Sequence, residues 1–209
     1  MKNITTKSDY KELYEKAELR FNRFLKWYDF SKGNLKILDF GCGCGWLLNY
    51  LSEKFPNNEY HGFDTFQEDI EYAKSKKKHS NVKFYHYDGK SKLPFKDEYF
   101  DFIVSNEVLE HVDNPKDYVK ELSRVMKDGA NGFFSTPNRL FPFEFHYNLP
   151  LINFLPSSLF NRFVKLYTYP YVVGLLDDFD IEVQKNILSN NFIKYFIPQK
   201  YIVRKRGKK

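Results

Sequence analysis

The chain has little of what marks a secreted, membrane-spanning or metal-clustered protein. Its 209 residues include only two cysteines, two methionines and two tryptophans. Cys42 and Cys44 stand two apart inside one glycine-rich turn. That spacing suits neither an unstrained disulfide nor a zinc site, which would need a second pair. No apolar run is long enough for a membrane-spanning helix, and Met1 to Lys16 is too polar for a signal peptide. A reduced, cytoplasmic setting is the expectation. Internal repeats and low-complexity segments are missing, and no basic stripe interleaved with aromatics runs through the body, which disfavours nucleic acid as a partner. The net charge of +6 is concentrated at one place: Lys200, Arg204, Lys205, Arg206, Lys208 and Lys209 carry no acid among them, and the rest of the chain balances. This basic run reads as a solvated tail, or as a handle for anionic lipid or RNA.

What the chain has is aromatic bulk, with 22 Phe and 16 Tyr, and an alternation of apolar strands and helices. The length suits one α/β domain spanning 1–209. We divide it into a helical cover (1–30), a core (31–136), a cap (137–174) and C-terminal strands with the basic tail (175–209). Apolar residues at three- and four-residue steps from Tyr10 to Tyr28 predict one amphipathic helix over 9–30, capped by Ser8 or Asp9. Strands are expected at 36–40, 59–63, 82–87, 100–105 and 132–135, with helices at 45–54, 67–77 and 115–126 and a turn at 129–132. That rhythm means a parallel sheet with helices on both faces, whose ligands lie outside the carboxyl ends of the strands. Pro142, Pro150, Pro156 and Pro170 then break the pattern into an irregular, aromatic cap with one short helix near 157–166. Two antiparallel strands, 181–188 and 194–204, turn at Ser189-Asn190-Asn191 and bring the sheet to seven.

The most informative stretch is Ile37-Leu38-Asp39-Phe40-Gly41-Cys42-Gly43-Cys44-Gly45-Trp46. A buried strand ends in a turn without side-chain bulk at alternate positions, so a ligand can approach the backbone, and a helix start follows to favour polar or anionic groups. A dinucleotide fingerprint needs a small residue where Trp46 stands. The order D-x-G-x-G-x-G, from Asp39 to Gly45, resembles instead the first motif of class I S-adenosylmethionine-dependent methyltransferases. Further on, Asp88-Gly89, Leu93-Pro94-Phe95 and Tyr99-Phe100-Asp101 resemble the middle of the same family. So do Leu109-Glu110-His111-Val112 and Arg124-Val125-Met126-Lys127-Asp128-Gly129, where Asp128 and Ala130 replace the usual proline and second glycine. The resemblance covers about residues 30–137 and implies a Rossmann-like, doubly wound fold. The cofactor it implies is S-adenosyl-L-methionine, with S-adenosyl-L-homocysteine as product.

A carboxylate at the end of the second strand, Asp64, can accept both hydroxyls of a ribose, and Phe66 could lie against an adenine. The resemblance carries over Gly41, Gly43, Asp64 and Asp88 as cofactor contacts, Asp88 toward the adenine amino group with Gly89 making room, and Asn106 after them. Asp39, Cys42 and Thr65, on the same turns, complete the expected site. Methyl transfer to an oxygen also needs a base. His111 and His146 are the candidates, with Glu107, Glu110 and Glu144 to orient or replace them. Glu144 and His146, two apart in extended chain, would point the same way; lacking third and fourth ligands, they predict no metal. The chain has Ser-Asn-Glu-Val where base-amine methylases show D/N-P-P-Y/F, and no cysteine nucleophile outside the turn. An oxygen acceptor on a small molecule or a lipid- or glycan-linked precursor remains. The stretch Ser135-Thr136-Pro137-Asn138-Arg139 with Pro142, Glu144 and His146 resembles type 11 methyltransferases acting on quinone and glycan precursors. Phe141, Phe143, Phe145, Tyr147 and Phe154 could line an apolar channel or touch a membrane surface beside the basic tail. Two alternatives stay open: an RNA methyltransferase, and a methyltransferase-like binding module without turnover.

Overall fold

The computed structural model describes residues 10–24, 26–138, 143–144, 149–150, 167–183 and 199–207. A seven-stranded sheet runs in the order β3-β2-β1-β4-β5-β9-β8. Its first half is built from β1 (Lys36–Phe40), β2 (Glu59–Asp64), β3 (Val82–His86), β4 (Phe100–Asn106) and β5 (Met126–Thr136), all parallel. Order reverses at β1, where β2 lies on one side and β4 on the other. The carboxyl ends of those three strands form the crevice in which such sheets hold ligands.

Helices α1 (Tyr10–Glu15), α2 (Ala17–Phe24), α3 (Trp46–Lys54) and α4 (Gln67–Lys76) precede β3, and α5 (Pro115–Val125) links β4 to β5. Residues of α2, α3 and α4 pack one face of the sheet around Phe30, Tyr60, Phe102 and Phe133. Residues of α5 pack the other with Leu38, Phe63, Phe100 and Phe134. Much of the aromatic content is thereby accounted for, each buried ring contributing about 2–3 kcal/mol of apolar transfer. His61 is buried in one aromatic nest, stacked on Tyr85 with Phe95, Tyr99 and Phe100 edge-on.

Several expectations are corrected. The single helix over 9–30 is two helices and a 3-10 turn at Phe30–Lys32. Asp29 caps that turn by accepting from the Ser31 backbone N–H, and Phe30, its first residue, is buried in the core. The caps proposed at Ser8 and Asp9 lie outside the described residues. The segment 129–132 is not a separate turn. β5 begins at Met126 and absorbs it as a bulge, since Phe100 pairs with Met126 but Phe102 with Asn131. Pro170 does not break structure either. It occupies the first turn of α6 (Tyr169–Leu175), where its missing N–H has no helical partner to lose.

The C-terminal strands are β8 (Phe179–Val183) and β9 (Gln199–Lys205), antiparallel to each other, with β9 inserted between β5 and β8. The turn expected at 189–191 and the helix near 157–166 fall outside the described residues. Two short strands, β6 (Phe143–Glu144) and β7 (Leu149–Pro150), pair as a separate ladder. As far as Arg206 the basic run is not a free tail. Lys205 is buried, its Nζ 2.8 Å from the Met126 carbonyl and 3.0 Å from Asp128, and Arg206 binds Asp180 at 2.8 Å. An RNA or lipid handle therefore cannot be built from the run as a whole, because much of it is a sheet strand. Among the described residues no helix is long and apolar enough to cross a membrane.

Candidate active site

β1 delivers Asp39 and the glycine turn to the crevice. The turn is held to β2 by main-chain bonds: the N–H groups of Gly41 and Cys42 both donate to the Phe63 carbonyl, at 2.7 and 3.0 Å. Gly43 N–H donates to Asp64 Oδ2 at 2.8 Å, and Phe66 N–H to Asp64 Oδ1 at 2.9 Å. Asp64 thus clamps the turn, and with a third backbone donor at Thr65 its four lone pairs are not all taken, leaving acceptor capacity toward a ligand hydroxyl.

The three glycines share left-handed backbone, with φ of 80°, 50° and 75° at 41, 43 and 45. Two of them answer to packing rather than to a ligand. A Cβ on Gly41 would stand 2.3 Å from Val108 Cγ2, and one on Gly45 would stand 2.5 Å from Phe84 and 2.9 Å from Ala73. The expectation that all three leave room for a ligand is corrected accordingly. Gly45 is the N-cap of α3 and offers no side-chain cap, so the first-turn N–H groups are not met by a capping side chain.

Cys42 is likewise placed away from a contact role. Its side chain is buried in the core, its N–H donates to Phe63 and its carbonyl accepts from Gly45 at 3.0 Å. Cys42 and Cys44 are both buried free thiols.

Asp39 is only 4% exposed. Burial, and then the charge of Asp64, push its carboxyl up to about 7. Burial also raises Asp64, against the opposing hydrogen bonds from Phe66, Gly43 and Thr65. Two coupled carboxylates held above their ordinary range form a site that a cationic, hydroxyl-bearing ligand would relieve.

Asp88 sits at the mouth, fully exposed, and caps its own turn. Its Oδ1 accepts from the N–H groups of Lys90 and Ser91 at 2.9 and 2.8 Å, and its Oδ2 from the Ser91 hydroxyl. The Ser91 hydroxyl and these backbone donors hold the carboxyl down at about 2. Gly89 is left-handed beside the Thr65 methyl, so the Asp88 turn meets the end of β2. Thr65 is exposed, and Phe66, half-buried, caps α4.

At the end of β4, Asn106 and Glu107 meet Ser135 of β5. Ser135 Oγ lies 3.0 Å from Asn106 Oδ1 and 2.8 Å from Glu107 Oε1, and it accepts from Glu107 N–H at 3.1 Å. Glu107 is held at φ 56°, an uncommon backbone state for a residue with a side chain. Glu110 is fully buried and accepts from Thr136 Oγ1 at 3.1 Å, with His111 Nε2 at 4.0 Å. Tyr118 of α5 hydrogen-bonds Ser105 at 2.5 Å; burial raises its phenol pKa, and the charges of Glu110 and Asp39 raise it further.

The structure therefore gathers Asp39, Gly41, Gly43, Asp64, Thr65, Phe66, Asp88, Gly89, Asn106 and His111 along the carboxyl edge of the sheet. His146 lies outside the described residues. The backbone of Glu144 belongs to β6, but its side chain is not described. Tyr118 was not anticipated, and Ser135 and Thr136, though part of a stretch with family resemblance, were given no partners. Tyr118 reads as an ordinary core position of an amphipathic helix, and nothing near Ser135 or Thr136 shows which strand will face them. Among the described residues no three acids, histidines or cysteines are grouped to hold a metal.

Comparison with known proteins shows the family and the fold. A family model described as a methyltransferase domain matches residues 10–186. The ubiquinone biosynthesis O-methyltransferase of Rickettsia akari is 27% identical over 83% of this chain and 66% of its own length. The mitochondrial ubiquinone biosynthesis O-methyltransferase of Dictyostelium discoideum is 35% identical over 51% of this chain and 36% of its own. The chain spans less than two thirds of the length of these curated relatives. Among solved structures, an S-adenosylmethionine-dependent methyltransferase from Mesorhizobium loti superposes with a TM-score of 0.67 at 19% identity, covering 95% of this chain and 100% of the other. With the family model covering most of its length and the fold matched over 95% of it, the chain belongs to the methyltransferase domain family and has the class I fold of S-adenosylmethionine-dependent methyltransferases.

Proposed function

We propose that the chain binds S-adenosyl-L-methionine and methylates a hydroxyl oxygen of a small-molecule, sugar or lipid-linked acceptor. The observation that carries this is the pair of buried, upward-shifted carboxylates, Asp39 and Asp64, bound to the glycine turn at the strand-order reversal. The donor set fits the cofactor. Asp64 keeps acceptor capacity for a ribose hydroxyl beside its backbone donors, the Asp39 carboxylate favours positive charge, and Asp88 and Phe66 border the place for the base. The cofactor supplies a methyl group already activated on a sulfonium. The chain's own residues align it, exclude water and take the acceptor's proton. The two relatives described above are O-methyltransferases by name, which supports oxygen as the acceptor atom.

Residues 137–174 cover the acceptor in this reading. Tyr167 and Tyr171 stack 5.0 Å apart there, and Tyr171 is 41% exposed, as an apolar acceptor would require of a wall. Two buried thiols without a disulfide fit the cytoplasm. Isothermal titration with S-adenosylhomocysteine tests the reading directly: saturable one-to-one binding is expected, and a chain that ignores the compound at millimolar concentration would not be acting this way.

The carboxyl of Asp39 adds a pH dependence. Its native pKa lies above the unfolded value, so between about pH 4 and 7 the native state holds a proton that the unfolded chain has released. This contribution to stability falls as pH rises through that window. Cofactor affinity should move the opposite way, rising through pH 7 as the carboxylate ionises and levelling above it. Asp39→Asn should flatten both slopes. Denaturant unfolding and titration with S-adenosylmethionine at pH 6, 7 and 8 will show whether it does.

A further inference from the structure

We propose that Glu110 is the positioning residue for His111, and that the two form the proton-accepting pair of the acceptor site. This rests on the reading of the chain as a methyltransferase acting on a hydroxyl.

Residues Leu109–His111 form a single 3-10 turn. Consecutive residues of such a turn point about 120° apart, and the three side chains divide accordingly. Leu109 and Glu110 are buried, at 5% and 0%, while the His111 side chain is 43% exposed. A carboxylate fully withdrawn from water is tolerated only against compensating donors or a cation. Thr136 supplies a donor to Oε2 at 3.1 Å, and His111 Nε2 stands 4.0 Å from Oε1, at ion-pair range. Around the acid lie Tyr118 of α5 and Tyr167; burial raises both phenols, and the Glu110 charge adds to each.

The pair also sits where the chain leaves and rejoins the sheet edge. Asn138 and Tyr167 pair as a parallel bridge that forms a neck there, with Tyr167 within electrostatic reach of Glu110. An acceptor entering between that neck and the ends of β4 and β5 meets His111 on the exposed side of the turn. Turned with Nε2 toward the buried carboxylate, the imidazole presents Nδ1 to the acceptor. The proton passes from the acceptor oxygen to Nδ1, the O–H bond breaking as the N–H bond forms. Glu110 stays ionised and stabilises the imidazolium until the proton is released to water.

The test is a pH titration of the histidine ring resonances of the full chain by NMR, His111 being identified among the five histidines by the signal that His111→Gln removes. His111 should titrate above the ordinary value of about 6.5, and Glu110→Gln should lower its midpoint by about one unit. Asp113 and Glu107 flank the turn in both proteins, so their charges cancel in that difference. An unchanged midpoint in folded Glu110→Gln overturns the proposal. Should that variant not fold, a wild-type midpoint at or below the ordinary value overturns it without any substitution. Titrating the same samples with S-adenosylhomocysteine keeps the two readings apart. Failure to bind removes the cofactor function, whereas the ring titration alone decides whether Glu110 and His111 are coupled.

Discussion

Asp64→Ala should weaken S-adenosylhomocysteine binding by about 2–3 kcal/mol, roughly 30- to 150-fold in Kd. The expectation exceeds that for one lost hydrogen bond because Asp64 acts twice. Its free lone pairs face the ligand, and its two oxygens also hold the N–H groups of Gly43 and Phe66, which shape the turn and the start of α4. Asp64→Asn separates these roles. The amide oxygen can keep one backbone donor, but the amide nitrogen faces the other donor and repels it. Calorimetric titration of the two variants is the measurement. Equal affinity in wild type and Asp64→Ala would remove Asp64 from the binding site, whatever the turn does.

Gly41→Ala should destabilise the fold by about 2–4 kcal/mol, a fall in Tm of about 5–15 °C for a chain of this size. The new Cβ would lie 2.3 Å from Val108 Cγ2 while the backbone holds φ at 80°, so steric overlap and left-handed strain add. Val108→Ala in the same chain should recover the steric part and leave about 1 kcal/mol of backbone strain. Thermal unfolding of the two single variants and the double variant separates these contributions. A Gly41→Ala protein as stable as wild type would mean that the turn and Val108 are not packed as described. The prediction matters for function because Val108 begins the segment that carries Glu110 and His111, so the glycine turn and the acceptor side are in direct contact.

The parallel core was legible because its signals are local. Lys36–Phe40, Glu59–Asp64 and Phe100–Asn106 are short runs rich in apolar residues, bounded by glycine or polar residues, and each forms a strand within a residue of its expected bounds. The N-terminal helix was over-extended because three- and four-residue spacing continues through Tyr28, whereas α2 ends at Phe24 and a new 3-10 turn starts at the Asp29 cap. The basic C-terminus was misjudged for another reason. Charge counts do not say that Lys205 will find a carbonyl and a carboxylate, Met126 and Asp128, in a strand far away in sequence.

By itself the sequence determined the class of fold, the cofactor family and the place of the glycine turn, since strand periodicity, left-handed backbone and the spacing of Asp39, Asp64 and Asp88 are written in neighbouring residues. Only the tertiary structure decided that Gly41 and Gly45 serve Val108 and Phe84, that Cys42 faces inward, and that β9 enters the sheet between β5 and β8. It also decided that Glu110 is buried beside His111. Those outcomes turn on which side chain comes to lie within a few ångströms of another across the sheet, and that distance is set by packing between strands rather than by residues adjacent in the chain.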